Sequence, residues 1–122
     1  MEKVEAIIRP EALQGVQDAL DALGVSGLTV TEVVGCGRQK GYTEQYRGQR
    51  VHISLLHKIK VEAVVPEEVV ESAVEAIVTA ARTGEEGDGR VFISPVSQAI
   101  RIRTGERGEE SVSHEAPLGW GH

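Results

Sequence analysis

An α+β fold of the βαββαβ type is predicted by three observations. Short runs of alternating or β-branched residues read as strands, and two proline-opened segments carry apolar residues at helical spacing. Between the second and third strands lies a polar stretch too long for a hairpin turn. Residues 2–9 (EKVEAIIR) place Val4, Ala6 and Ile8 on one face, as a half-buried strand does. Pro10 follows, where a first helical turn tolerates it, and Leu13, Val16, Leu20 and Leu23 recur at helical spacing until Gly24 stops the helix. Residues 28–36 (LTVTEVVGC) are rich in β-branched residues and give a second strand. Residues 58–65 (KIKVEAVV) set Ile59, Val61 and Ala63 against Lys58, Lys60 and Glu62 as a third. Pro66 opens a second helix whose apolar face is Val69, Val70, Ala73, Val74, Ile77 and Val78, with Glu67 and Glu68 in its favourable first turn. Gly84 follows its end, 90–94 (RVFIS) is a fourth strand and 100–103 (IRIR) a short final one.

This order is the ferredoxin-like arrangement: a four-stranded antiparallel sheet with both helices on one face. With 122 residues there is one domain, near the size at which a single core is adequately buried. The second sheet face needs a cover, and further copies of the chain are the expected one. The polar, glycine-rich residues after 106 are predicted to form a flexible tail, 107–122.

Composition excludes several classes. The net charge of −6 argues against general affinity for nucleic acid or anionic lipid. The aromatic residues are only Tyr42, Tyr46, Phe92 and Trp120, too few for a base-stacking surface. A single cysteine, Cys36, excludes an internal disulfide and suits a reducing compartment. No apolar run approaches ~18 residues and no signal peptide is visible, so a soluble, cytoplasmic chain is expected. His52, His57, His114 and His122 lack zinc spacing, and Cys36 has no evident histidine partner, so it reads as a semi-buried thiol.

Three clusters carry anion-binding chemistry. In Gly84-Glu85-Glu86-Gly87-Asp88-Gly89-Arg90, glycines allow close backbone approach to a phosphate and Arg90 adds charge; an ordinary turn is the alternative. In Arg101-Ile102-Arg103, strand alternation would put two guanidinium groups on one side to grip a polyphosphate; a charged edge strand is the alternative. In Gly35-Cys36-Gly37-Arg38-Gln39-Lys40-Gly41, Arg38 is a phosphate partner and Gln39 offers a carbonyl oxygen to a hard cation, without Walker or dinucleotide-fingerprint context. Lys58, beyond the long 37–55 segment, could return to the same site and pair with a carboxylate. No acid–base pair for catalysis is evident, and no enzyme is expected.

Four phrases together resemble the PII signal-protein family: GLTVTEVVGCGRQKGYTEQYRG at 27–48, KIKVEAVVP at 58–66, TGEEGDGRVFI at 83–93 and IRIRTGE at 100–106. The resemblance covers residues 1–106 and implies a homotrimer with adenine-nucleotide sites between subunits. It implies that ATP or ADP meets Thr29, Gly35, Gly37, Arg38, Gln39 and Val64, with Gly87, Asp88, Gly89 and Arg90 holding phosphates beside Arg101 and Arg103 of a neighbour. It further implies 2-oxoglutarate held by Arg9, Gln39, Lys40, Gly41 and Lys58 through a Mg²⁺ ion that ATP and Gln39 share. The 37–55 segment would be the partner-binding loop, with Tyr46 and Arg47 at its apex docking an Amt-type ammonium channel. Val51 and Gln49 stand where some members carry a nucleotidylated tyrosine and a phosphorylated serine, so those modifications are not expected here. The rival readings are a PII-like adenine-nucleotide sensor tied to inorganic carbon, without 2-oxoglutarate, and a small nucleotide-hydrolysing enzyme.

Overall fold

Each half of the chain turns from strand to helix at a proline. The computed structural model describes residues 1–25, 27–38 and 53–112. Strand β1 (Glu2–Ile8) runs through extended Arg9 into a 3-10 turn at Pro10–Ala12 and then helix α1 (Leu13–Ala22). Strand β3 (Ile53–Val65) reaches Pro66, a 3-10 turn at Glu67–Val69 and helix α2 (Val70–Ala81) in the same way. The residue before a proline is barred from helical geometry, so Arg9 and Val65 end their strands. Proline's fixed φ then suits Pro10 to the first turn, whereas Pro66 stays extended as the cap just before its own. Strand β2 (Thr29–Arg38) and strand β4 (Arg90–Pro95) complete a sheet of order β2-β3-β1-β4. Every neighbouring pair is antiparallel, which interleaves two strand–helix–strand units as the sequence predicts.

Register decides which face is buried. Val4 faces Ala63, Ala6 faces Val61 and Ile8 faces Ile59, so these alternate residues lie on one side under the helices. That side closes on Val16 and Leu20 of α1 and on Val70, Ala73, Ile77 and Ala81 of α2, forming a single core. Each fully buried Val, Leu or Ile contributes roughly 1.5–3 kcal/mol of transfer free energy, and this core is the main source of stability. The other face holds Lys3, with Glu5 and Glu62 at 4.0 and 3.8 Å, and Lys60 with Glu62 at 3.9 Å. Such partly exposed pairs contribute about 0–1 kcal/mol each, so they specify this surface more than they stabilise it. Phe92, opposite Glu5 on the same face, is half exposed.

The segment between the second and third strands is shorter than the sequence predicts. Pairing continues from Thr29↔Glu62 out to Arg38↔Ile53, so Gly37, Arg38 and residues 53–55 belong to strands. Only Ile59–Val65 of β3 also pairs with β1, which leaves 33–38 and 53–58 as a two-stranded ribbon. Cys36 lies on this ribbon opposite Leu55, beyond the part of β3 that pairs with β1, and is exposed, not semi-buried. Residues 39–52 lie outside the described residues, and with them Gln39, Lys40, Gly41, Tyr46 and Arg47.

The expected final strand at 100–103 is not present. One bridge forms, Ile100 to Arg107, and residues 102–104 turn the chain back. The Arg101 N–H donates to the Glu106 carbonyl at 2.9 Å and the Gly105 N–H to the Arg101 carbonyl at 2.7 Å. Gly105 and Gly108 take φ of 78° and 80°, a left-handed geometry glycine adopts without strain. Alternating apolar and charged residues suggested a strand, but the glycines beyond them close the hairpin too tightly for a ladder. Residues Glu109–Val112, read from sequence as tail, form a one-turn helix α3. Residues 113–122 lie outside the described residues. None of the described helices is long and apolar enough to cross a membrane.

Candidate functional site

The loop between α2 and β4 is built around one carboxylate. Arg82 leaves the helix in extended geometry, and Gly84, Gly87 and Gly89 take φ of 92°, 97° and 108°. Asp88 folds back so that Oδ2 accepts the backbone N–H groups of Thr83 (2.8 Å) and Gly84 (2.9 Å). Its Oδ1 accepts the Thr83 hydroxyl and the Nε of Arg9, the latter at 3.2 Å. The Thr83 oxygen in turn accepts the Glu85 N–H at 3.1 Å. A carboxylate that receives several hydrogen bonds is stabilised in its charged form. The Thr83 hydroxyl and N–H, with Gly84 and Arg9, therefore hold Asp88 well below the usual carboxylate range.

Two cations from the sheet fasten the same loop. Arg9, just past the end of β1, donates through Nη2 to the Glu86 carbonyl at 2.7 Å. Lys58, on β3, donates through Nζ to the Gly87 carbonyl at 2.8 Å, and its stem passes beside Gly35 of β2. One of the three N–H donors of Lys58 is thus given to a backbone carbonyl of the loop. Because a trans peptide is planar, each fastened carbonyl turns the next N–H the opposite way. The N–H groups of Gly87 and Asp88 are therefore aimed away from the two cations. Gly89 explains itself by packing: a Cβ there would lie 1.8 Å from the Ile7 carbonyl oxygen.

Of the residues singled out by sequence, Arg9, Lys58, Gly35, Gly87, Asp88 and Gly89 converge on this loop. Arg90 starts β4 opposite Ile7 and is exposed beside it. Thr29 begins β2 opposite Glu62, and Val64 faces Lys3. Arg101 follows the bridge residue Ile100, and Arg103 lies in the turn after it. Arg101 is tied to its own segment, with Nη1 at 3.5 Å from Glu106 and Nη2 donating to the carbonyls of Glu110 (3.0 Å) and Ser111 (3.2 Å). Thr83 escaped the sequence reading. Its signal was a threonine at a helix exit with an aspartate five residues on among glycines, the pattern of side chains that cap turn N–H groups.

The Asp88 carboxylate gives a direct pH prediction. Its folded value is lowered from an ordinary value of about 3.9, so what it contributes is fully present above that value and is lost as pH falls through the lower folded value. In a carbon-13 NMR titration of side-chain carboxyls, Asp88 is expected to remain ionised well below the ordinary carboxylate range. An Asp88 resonance titrating in the ordinary carboxylate range would contradict its hydrogen bonds to Thr83, Gly84 and Arg9.

The structure is a small α+β fold with a glycine loop gripped by two cations, and its relatives sharpen that description. The family model for "Nitrogen regulatory protein P-II" matches residues 1–106. Proteins of that name from Cereibacter sphaeroides and Rhodobacter capsulatus are 60% and 56% identical over 112 residues, and that of Haemophilus influenzae is 50% identical. In each case the match covers 92% of this chain and the whole of the relative. The chain belongs to the P-II family of nitrogen regulatory proteins, which are signal-transduction regulators and not enzymes.

Proposed function

We propose that the chain senses ATP, ADP and 2-oxoglutarate as a homotrimer and reports them by binding other proteins. The observation that carries this reading is the loop at 84–90. Arg9 and Lys58 hold its carbonyls, so the Gly87 and Asp88 amides are free to face an incoming phosphate. Arg90 adds positive charge at the rim, and Gly35 admits a ligand close to the β2 backbone. Thr29, Val64, Gly37, Arg38 and Gln39 would complete the nucleotide site, with Arg101 and Arg103 supplied by a neighbouring subunit. The trimer reading is supported by the sheet face opposite the helices, where Phe92 is half exposed and the Lys3–Glu62–Lys60 pairs have no covering layer among the described residues.

For 2-oxoglutarate, Lys58 keeps two further N–H donors beyond the one given to Gly87, and Arg9 stands beside it. Mg²⁺ would draw most of its oxygens from the ATP phosphates and one from Gln39, leaving positions for a 2-oxo acid. Among the described residues no group of three or more His, Cys, Asp or Glu could hold the ion alone. ADP lacks the γ-phosphate, so the shared site would form only with ATP. The ligands would set the shape of the 37–55 segment through Gln39, and Arg47 would then dock or release an Amt-type ammonium channel at the membrane's cytoplasmic side.

Calorimetry on the full chain tests this, with light scattering on the same samples. Trimers that bind Mg-ATP, and bind 2-oxoglutarate only when Mg-ATP is present, are expected. Co-sedimentation with channel-bearing membranes should be stronger in ADP than in Mg-ATP with 2-oxoglutarate. Nucleotide binding without any 2-oxoglutarate response would favour the carbon-linked sensor instead, and a monomer would overturn the assembly.

A further inference from the structure

We propose that Thr83 is a positioning residue for the ligand loop: its hydroxyl fixes the Asp88 carboxylate, which in turn fixes the Arg9 guanidinium. The two carboxylate oxygens have different partners. Oδ2 takes the Thr83 and Gly84 N–H groups and so ties the loop to the end of α2. Oδ1 takes the Thr83 hydroxyl and Arg9 Nε, and so ties the loop to the end of β1. A carboxylate held on Oδ2 alone can still rotate about its terminal bond, which is a soft torsion. The hydroxyl on Oδ1 stops that rotation and presents the same oxygen to Arg9. Arg9 then places its Nη2 on the Glu86 carbonyl, which sets the peptide that aims the Gly87 N–H.

The hydroxyl is used in both senses, donating to Asp88 and accepting from Glu85 N–H. Valine has the same shape and neither capacity; serine keeps both. Thr83 and Glu85 are exposed, so water can replace the lost partner and folding should hardly change. Among the described residues, the charged groups near Asp88 are Arg9 just past β1, Lys58 from β3, Arg90 at the start of β4, and Glu85 and Glu86 on the loop. The effect of Thr83 therefore passes through an oriented carboxylate and does not add or remove charge.

This inference rests on the proposed ligand reading for its functional arm, and its structural arm stands apart from it. The test compares wild type, Thr83→Val and Thr83→Ser as full chains. In ligand-free protein, the Arg9 Nε–H resonance of Thr83→Val should shift toward that of a solvated arginine, and Asp88 should titrate closer to an ordinary carboxylate. Mg-ATP should bind about threefold to tenfold more weakly, the range set by one hydrogen bond of ordinary net strength. The urea midpoint should stay near wild type, and Thr83→Ser should restore all three readouts. Unchanged Arg9 and Asp88 resonances in Thr83→Val would overturn the proposal, as would altered resonances with unaltered Mg-ATP affinity. Should wild type itself bind no nucleotide, the ligand reading fails, and the Arg9 and Asp88 resonances still decide whether Thr83 positions them.

Discussion

Gly89→Ala is expected to destabilise the fold by roughly 2–6 kcal/mol, the sum of a strained backbone and a steric overlap at about 1–3 kcal/mol each. The φ of 108° lies where side chains other than hydrogen are rarely accommodated. The added carbon would stand 1.8 Å from the Ile7 carbonyl oxygen and 2.9 Å from its carbon. Both are backbone atoms of the central strand β1, so neither can swing aside. Relief would require the loop to lift from the sheet, opening the adjacent Ile7↔Arg90 pair at the start of β4. Gly84→Ala is the control: its φ of 92° carries similar backbone strain, but a Cβ there meets nothing within 4 Å. Urea unfolding at one fixed chain concentration should rank Gly89→Ala well below Gly84→Ala in midpoint. Equal midpoints would show that the close approach to Ile7 is not a constraint.

That position also shows where the sequence was legible and where it was not. The elements built on local periodicity were readable: β1, α1, α2 and β4 lie within a residue or a few of their predicted spans. Their proline starts and apolar spacings are properties of adjacent residues. The ends of β2 and β3 were harder, because the ribbon out to Arg38↔Ile53 is a cross-strand pairing and not a local preference. The 100–103 strand failed for the opposite reason. Its local alternation was real, yet a strand needs a partner, and among the described residues Ile100 bridges only to Arg107.

The candidate site divides along the same line. Glycines at 84, 87 and 89 announced a loop with unusual backbone. Nothing local announced that Arg9, nearly eighty positions upstream, would hold Asp88, or that Lys58 would hold the Gly87 carbonyl. Both contacts arise from sheet order. Placing β1 between β3 and β4 brings the end of β1, the middle of β3 and the α2–β4 loop to one place. The family resemblance pointed to Arg9, Lys58 and Asp88 without saying that they touch. The structure joins Arg9 to Asp88 and Lys58 to the neighbouring Gly87 carbonyl, so both sheet cations fasten one loop.

Lys58→Met and Arg103→Ala should separate the two ligands. In Lys58→Met the stem length and its packing beside Gly35 are kept, while the ammonium that meets the Gly87 carbonyl is lost. If Lys58 also faces a 2-oxoglutarate carboxylate, a charge-assisted hydrogen bond worth roughly 1.5–3 kcal/mol disappears, which is at least tenfold in affinity. Mg-ATP should weaken far less, because the Glu86 carbonyl is still held by Arg9 and the loop is still closed by Asp88. Arg103→Ala should show the reverse, with nucleotide binding reduced and the 2-oxoglutarate response falling only in proportion. Arg101→Ala is a less specific test, because Arg101 anchors Glu106, Glu110 and Ser111 and its removal would loosen α3 as well. Calorimetry on both variants, with 2-oxoglutarate titrated at saturating Mg-ATP, gives the answer. A Lys58→Met protein that lost both ligands equally would mean that Lys58 acts through the loop alone. An Arg103→Ala protein with wild-type Mg-ATP affinity would remove the neighbour's arginine from the nucleotide site.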